Sequence, residues 1–95
     1  MEKSKSNTRT KKRRRKRLSL YLLNDEFNSF EYVINILTSL LPLCNKLRGE
    51  QIAMLTHATG ECEVYTGFPP EIYILFAQFQ KAKLNVQLRD YSKTK

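Results

Sequence analysis

Residues 22–37 read LLNDEFNSFEYVINIL, and the joint inside this stretch decides the fold. An apolar run stops on Asn24-Asp25-Glu26, and a helical pattern begins a few residues later. Upstream, LSLYLLN (18–24) is short, apolar and aromatic, bounded by a charge run and a turn signal, which predicts a first strand. Downstream, Phe30, Val33, Ile34, Leu37, Leu40 and Leu41 recur at helical spacing. Asn28 is the expected N-cap, with Glu31 three residues on as in a capping box. Pro42 ends the helix, because the residue before a proline is driven out of the α region. Taken alone, the polar joint is a turn. Asn and Asp favour turns, and acids suit a helix N-terminus.

Working outward, 48–58 reads as a second helix. Ile52, Ala53, Met54 and Leu55 make it apolar on more than one side, so it is expected to be largely buried. Gly60 follows as the left-handed residue that closes a helix. ECEVYT (61–66) alternates Cys62, Val64 and Thr66 against Glu61, Glu63 and Tyr65, a strand with one wet face. Pro70 suits the first turn of a third helix reaching about residue 83. LNVQLRD (84–90) alternates Leu84, Val86 and Leu88 against polar neighbours, giving a third strand. The order is β-α-α-β-α-β. Three strands cannot shield both faces, so this is an α+β domain with helices packed on one face of a mostly antiparallel sheet.

Ninety-five residues support one small domain. Its charge is divided sharply. Residues 1–17 hold ten Lys/Arg and one acid, whereas 18–95 hold seven Lys/Arg and eight acids, so the net +8 belongs to the tail. The tail has no apolar residue after Met1 and is expected to be a disordered arm, ahead of a domain at 18–91 and a frayed end at 92–95. It lacks the apolar region of a secretory signal, and no run approaches the length of a membrane span. Cys44 and Cys62 have no CxxC spacing and read as reduced thiols of a cytoplasmic protein. A single His excludes a His-rich zinc site, and no nucleotide loop or nucleophile elbow is present. Neither cofactor nor metal is expected. A Cys44–His57 or Cys62–His57 nucleophile pair is conceivable, but Cys62 falls on the inward phase of its strand and reads as core. The chain reads as a binding module rather than an enzyme.

LYLLNDEFNSFEYVINIL, IAMLTHATG and ECEVYTG together resemble the ClpS family, the adaptors of the Clp protease. That family carries an N-D-D-x-[TS]-x-M-E-F-V-V-x-V-L run, then a helix ending in a Val-His-x-x-G-like turn, then a C-G-V-Y-T strand. Asn24, Asp25, Glu31, Val33, Leu37, His57, Gly60, Cys62, Val64, Tyr65 and Thr66 fit the pattern across 18–90. The resemblance implies a ClpS-like fold. It also implies an adaptor that binds proteins whose first residue is bulky and hydrophobic, the N-degrons, and delivers them to a Clp-type AAA+ unfoldase.

By the resemblance, Asn24, Asp25 and His57 receive the substrate's α-amino group. That group is mostly cationic at neutral pH, its pKa being about 7.7–8.0. Burying its donors needs acceptors, preferably with negative charge. The amide of Asn24, the carboxylate of Asp25 and a ring nitrogen of His57 supply them, whereas an internal peptide N–H has one donor and no charge. The family pattern lines the side-chain pocket with Phe30, Val33, Ala53, Thr56 and Leu84. Here Phe30 and Ala53 stand where Met is usual, and Thr56 where Val is usual. The family docks the unfoldase through a Glu and a Lys at the start of helix three and a Tyr after the acidic joint. The matching residues are Phe68, Tyr73 and Phe27, so both charges are lost. The alternative is a basic-armed protein associated with nucleic acid or ribosome. The KKRRRKR run binds phosphate polymers non-specifically in any case.

Overall fold

A computed structural model of the chain describes residues 16–91. Residues 1–15 of the expected arm and all of the expected frayed end lie outside the described residues. Three strands, β1 (Leu18–Leu23), β2 (Glu61–Gly67) and β3 (Val86–Asp90), alternate with helices α1 (Phe30–Leu40), α2 (Lys46–Thr59) and α3 (Glu71–Lys81) in the expected order. β1 is the central strand, antiparallel to β2 on one side and β3 on the other.

The two faces of β1 explain the layering. Leu20 and Leu22 are buried in one cluster with Leu37 and Leu41 from the α1 end, Ile52 from α2, and Ile72, Leu75 and Phe79 from α3. Ser19 and Tyr21 alternate with them and meet polar partners. Ser19 Oγ donates to Glu63 Oε2 at 2.5 Å. The Arg89 guanidinium lies 4.0 Å from the centre of the Tyr21 ring and reaches Glu61 with two bonds of 3.0 and 2.7 Å. A long cationic side chain thereby bridges β3 to β2 across β1 and covers the helix-free face with its stem.

A bulge corrects the expected phase of β2. Leu20 pairs with Tyr65 but Tyr21 with Glu63, so Val64 is the extra residue. Cys62 and Val64 pack on the core as expected, but Tyr65 joins them there. Thr66 accepts from Arg17 instead.

Local chemistry sets the helix bounds. α1 is capped by Ser29, whose hydroxyl accepts from Tyr32 N at 3.1 Å, rather than by Asn28. It ends at Leu41, extended at ψ 135° before Pro42. α2 begins two residues earlier than its apolar pattern, because Asn45 accepts from Arg48 N. It closes on Gly60 at φ 97°, whose N–H bonds to the Thr56 carbonyl. It is less buried than expected, with Met54 61% and Leu55 49% exposed. Gly49 sits at its contact with α1, where an added Cβ would lie 3.3 Å from Ile34 Cγ2 and Thr38 Cγ2.

At the N-terminal edge, Arg17 belongs to the body. Its carbonyl accepts from Tyr91 N, and its guanidinium lies 4.4 Å from the centre of the Tyr91 ring.

Candidate functional site

The joint between β1 and α1 is clamped from both sides. Leu23 N donates to the Asn85 carbonyl at 2.8 Å, and Asn24 N donates to the Gly60 carbonyl at 2.9 Å. The first bond ties the joint to the residue before β3, and the second ties it to the end of α2. Because Gly60 closes α2, His57 in its last turn is brought beside Asn24, thirty-three residues away in sequence.

Asp25 organises the next turn. Its Oδ1 accepts from Phe27 N and Asn28 N, both at 2.9 Å, and its Oδ2 accepts from Asn28 Nδ2 at 3.1 Å. Partial burial pushes the carboxyl up, but the bonds from Asn28 and Phe27 outweigh it and hold the group below its ordinary value. Asn28, freed from the helix cap, also donates to the Lys83 carbonyl at 2.9 Å. It therefore links the carboxylate of the joint to the turn after α3.

Above this turn opens a cleft of about 430 Å³, lined by Leu22, Asn24, Asp25, Glu26, Asn28, Phe30, Val33, Ala53, Thr56 and His57. Its floor is Leu22, Ala53 and Thr56, all buried, with Val33 half-buried beside them. Asn24, Glu26, Phe30 and His57 are exposed at the mouth. Phe30 meets the His57 ring edge to face, with centroids 5.9 Å apart. Among the described residues the side chains of Asn24, Glu26 and His57 make no hydrogen bond. Two carboxylates line the cleft, and no lysine or arginine does. The arrangement suits a ligand with a small cationic head and an apolar arm: unspent acceptors and negative charge at one end, apolar surface at the other.

Seven of the eight residues expected at the pocket and amino site line this one cleft: Asn24, Asp25, His57, Phe30, Val33, Ala53 and Thr56. Leu84 does not. It is 5% exposed and packs in the main core, because the turn at Lys83 (φ 71°) sends it inward before β3 starts. Leu22, Glu26 and Asn28 are lining residues the sequence reading missed. Leu22 shares the inward phase of β1 with Leu20, a signal that was present, whereas Asn28 reads equally well as a cap. The residues expected to dock an unfoldase are dispersed. Phe27 is 96% exposed on the joint, Tyr73 is exposed on α3, and Phe68 is half-buried in the turn before α3. No group of His, Cys, Asp and Glu among the described residues could hold a metal ion. No described helix is long and apolar enough to cross a membrane.

The fold and this cleft together define a small α+β recognition domain built around one joint. Residues 13–86 match the family model described as "ATP-dependent Clp protease adaptor protein ClpS", and the chain belongs to that family. No curated protein matches it by sequence. Among solved structures it is similar to Agrobacterium tumefaciens ClpS2 bound to L-phenylalaninamide, with a TM-score of 0.69 at 20% identity. That match covers 82% of this chain and 100% of the other.

Proposed function

We propose that this chain is a non-enzymatic adaptor that seats the first residue of a protein in the cleft at the β1–α1 joint. The ammonium lies against Asn24, Asp25 and His57, and a bulky hydrophobic side chain enters the hole lined by Phe30, Val33, Ala53 and Thr56. The observation that carries this reading is the placement of unspent acceptors and a carboxylate beside an apolar floor in one cleft. The ligand of the similar structure, L-phenylalaninamide, has a free amino group and an aromatic side chain. It is the kind of molecule these two halves would recognise.

Delivery to a Clp-type AAA+ unfoldase in the cytoplasm is part of the same proposal, and the match to the Clp adaptor family supports it. Phe27, Phe68 and Tyr73 are the proposed docking residues, and the basic arm that precedes Arg17 is the segment proposed to engage the unfoldase after docking. The test is fluorescence anisotropy of the full chain with peptides that differ only in residue one, each with a free and an acetylated terminus. Tight binding only of free, bulky hydrophobic termini supports the reading. Equal binding of acetylated peptides refutes it.

A further inference from the structure

The floor of the cleft carries one polar side chain in otherwise apolar surface. Leu22, Ala53 and Thr56 are exposed by 2%, 4% and 4%, and Thr56 alone among them has a hydroxyl. That hydroxyl donates its single proton to the Ile52 carbonyl at 2.8 Å. A hydroxyl oxygen keeps lone pairs after its proton is committed. Thr56 can therefore offer a ligand acceptance and nothing else. No hydrogen bond from another described residue uses that capacity. Ala53 lies three residues earlier on the same helix, so the two side chains are neighbours on its surface. Its lone methyl leaves room next to the hydroxyl.

We infer that the cleft prefers a first residue that is aromatic and ends in a hydrogen-bond donor, the Tyr hydroxyl or the Trp indole N–H, with Thr56 as the specificity-determining residue. This rests on the amino-terminal reading above and narrows it. When Phe or Leu fills the floor, the remaining lone pair of the buried Thr56 oxygen faces apolar carbon and gains no donor. When Tyr or Trp fills it, the oxygen gains one. A site that hydrogen-bonds a ligand hydroxyl discriminates against the analogue without it, because its own polar group is then left unpaired. Were the methyl of Thr56 to meet the ligand instead, the residue would behave as a valine and no such preference would arise.

The test uses the full chain and four peptides identical except for Tyr, Trp, Phe or Leu at residue one, each free and acetylated. Competition anisotropy is measured on the parent, Thr56→Val and Thr56→Ser. One neutral hydrogen bond predicts that the parent binds the Tyr peptide roughly 3- to 10-fold more tightly than the Phe peptide. The Tyr-to-Phe ratio should fall to about one in Thr56→Val, whatever happens to the absolute affinities, and persist in Thr56→Ser, which keeps the oxygen. A parent that binds Tyr and Phe alike, or a ratio that survives Thr56→Val, overturns this inference while leaving the free-versus-acetylated preference standing. Loss of that preference in the parent refutes the amino-terminal reading and the specificity with it.

Discussion

Replacing Asp25 with Asn separates the two tasks of that residue. Its Oδ1 holds the backbone N–H groups of Phe27 and Asn28, and its charge faces the cleft. An Asn at this position can keep both backbone bonds, now as neutral ones. Its amide would meet Asn28 Nδ2 donor to donor, so the 3.1 Å bond is lost, but Asn28 retains the Lys83 carbonyl. One bond lost and two weakened at a half-buried turn should cost about 1 kcal/mol of stability, visible as a small fall in the urea midpoint. Binding should suffer more. Removing the charge from a charge-assisted bond to an ammonium costs about 2 kcal/mol, a roughly 25-fold weaker Kd at about 1.4 kcal/mol per tenfold. Anisotropy with a Tyr-initiated peptide measures that loss. Acetylating the peptide deletes the partner of the same interaction, so the two losses should not add. The reasoning is wrong if Asp25→Asn binds the free peptide like the parent, or if the two losses sum in full.

Further predictions concern the frame of the site. Gly60→Ala should lower stability by about 1–2 kcal/mol through backbone strain alone, because φ is 97° and an added Cβ meets nothing within 4 Å; Gly60→Asn should cost less in the same urea titration. The Asp25 carboxyl is held below its free value of 3.8, so its contribution is present above that pH and fades as pH falls through the folded value. Between about pH 5 and about pH 3 the parent should therefore lose more stability than Asp25→Asn, and equal losses would contradict the bonding at Asp25. Ala53→Met should fill the floor and shift preference from Trp towards Leu by about 1–2 kcal/mol, and an unchanged ranking of peptides would place Ala53 outside the ligand's reach.

Much of the fold could be read from the chain because its apolar periods are consistent. Leu20 and Leu22 on β1, and Ile34 and Leu37 on α1, are buried as their spacing implies. What could not be read are choices between nearly equivalent neighbours and contacts made across the chain. Asn28 and Ser29 are both good caps, and the competing pull of the Asp25 carboxylate and the Lys83 carbonyl on Asn28 leaves the cap to Ser29. The start of α2 was hidden because Asn45 precedes it through the exposed Lys46 and Leu47, which carry no inward pattern. A bulge at Val64 reverses the phase of β2, and alternation alone has no means of announcing an inserted residue. The expected cleft residues were legible only through the family resemblance, since Asn24 and Asp25 taken alone make a turn and a lone His in a last helical turn has an ordinary capping role. Leu84 misled because a residue that leads into a strand near the joint can turn either way. The positive φ at Lys83, which sets its direction, belongs to no residue type that signals it.

The most direct measurement is the affinity of the full chain for one Tyr-initiated peptide with its terminus free and then acetylated, at neutral pH and physiological salt. The cleft offers an ammonium two carboxylates and unspent acceptors, with no lysine or arginine in its lining. Neutralising and blocking the amine should therefore weaken binding by about 2 kcal/mol or more, roughly 25-fold or greater. Equal affinity for the two peptides would contradict the account, whatever the fold resembles.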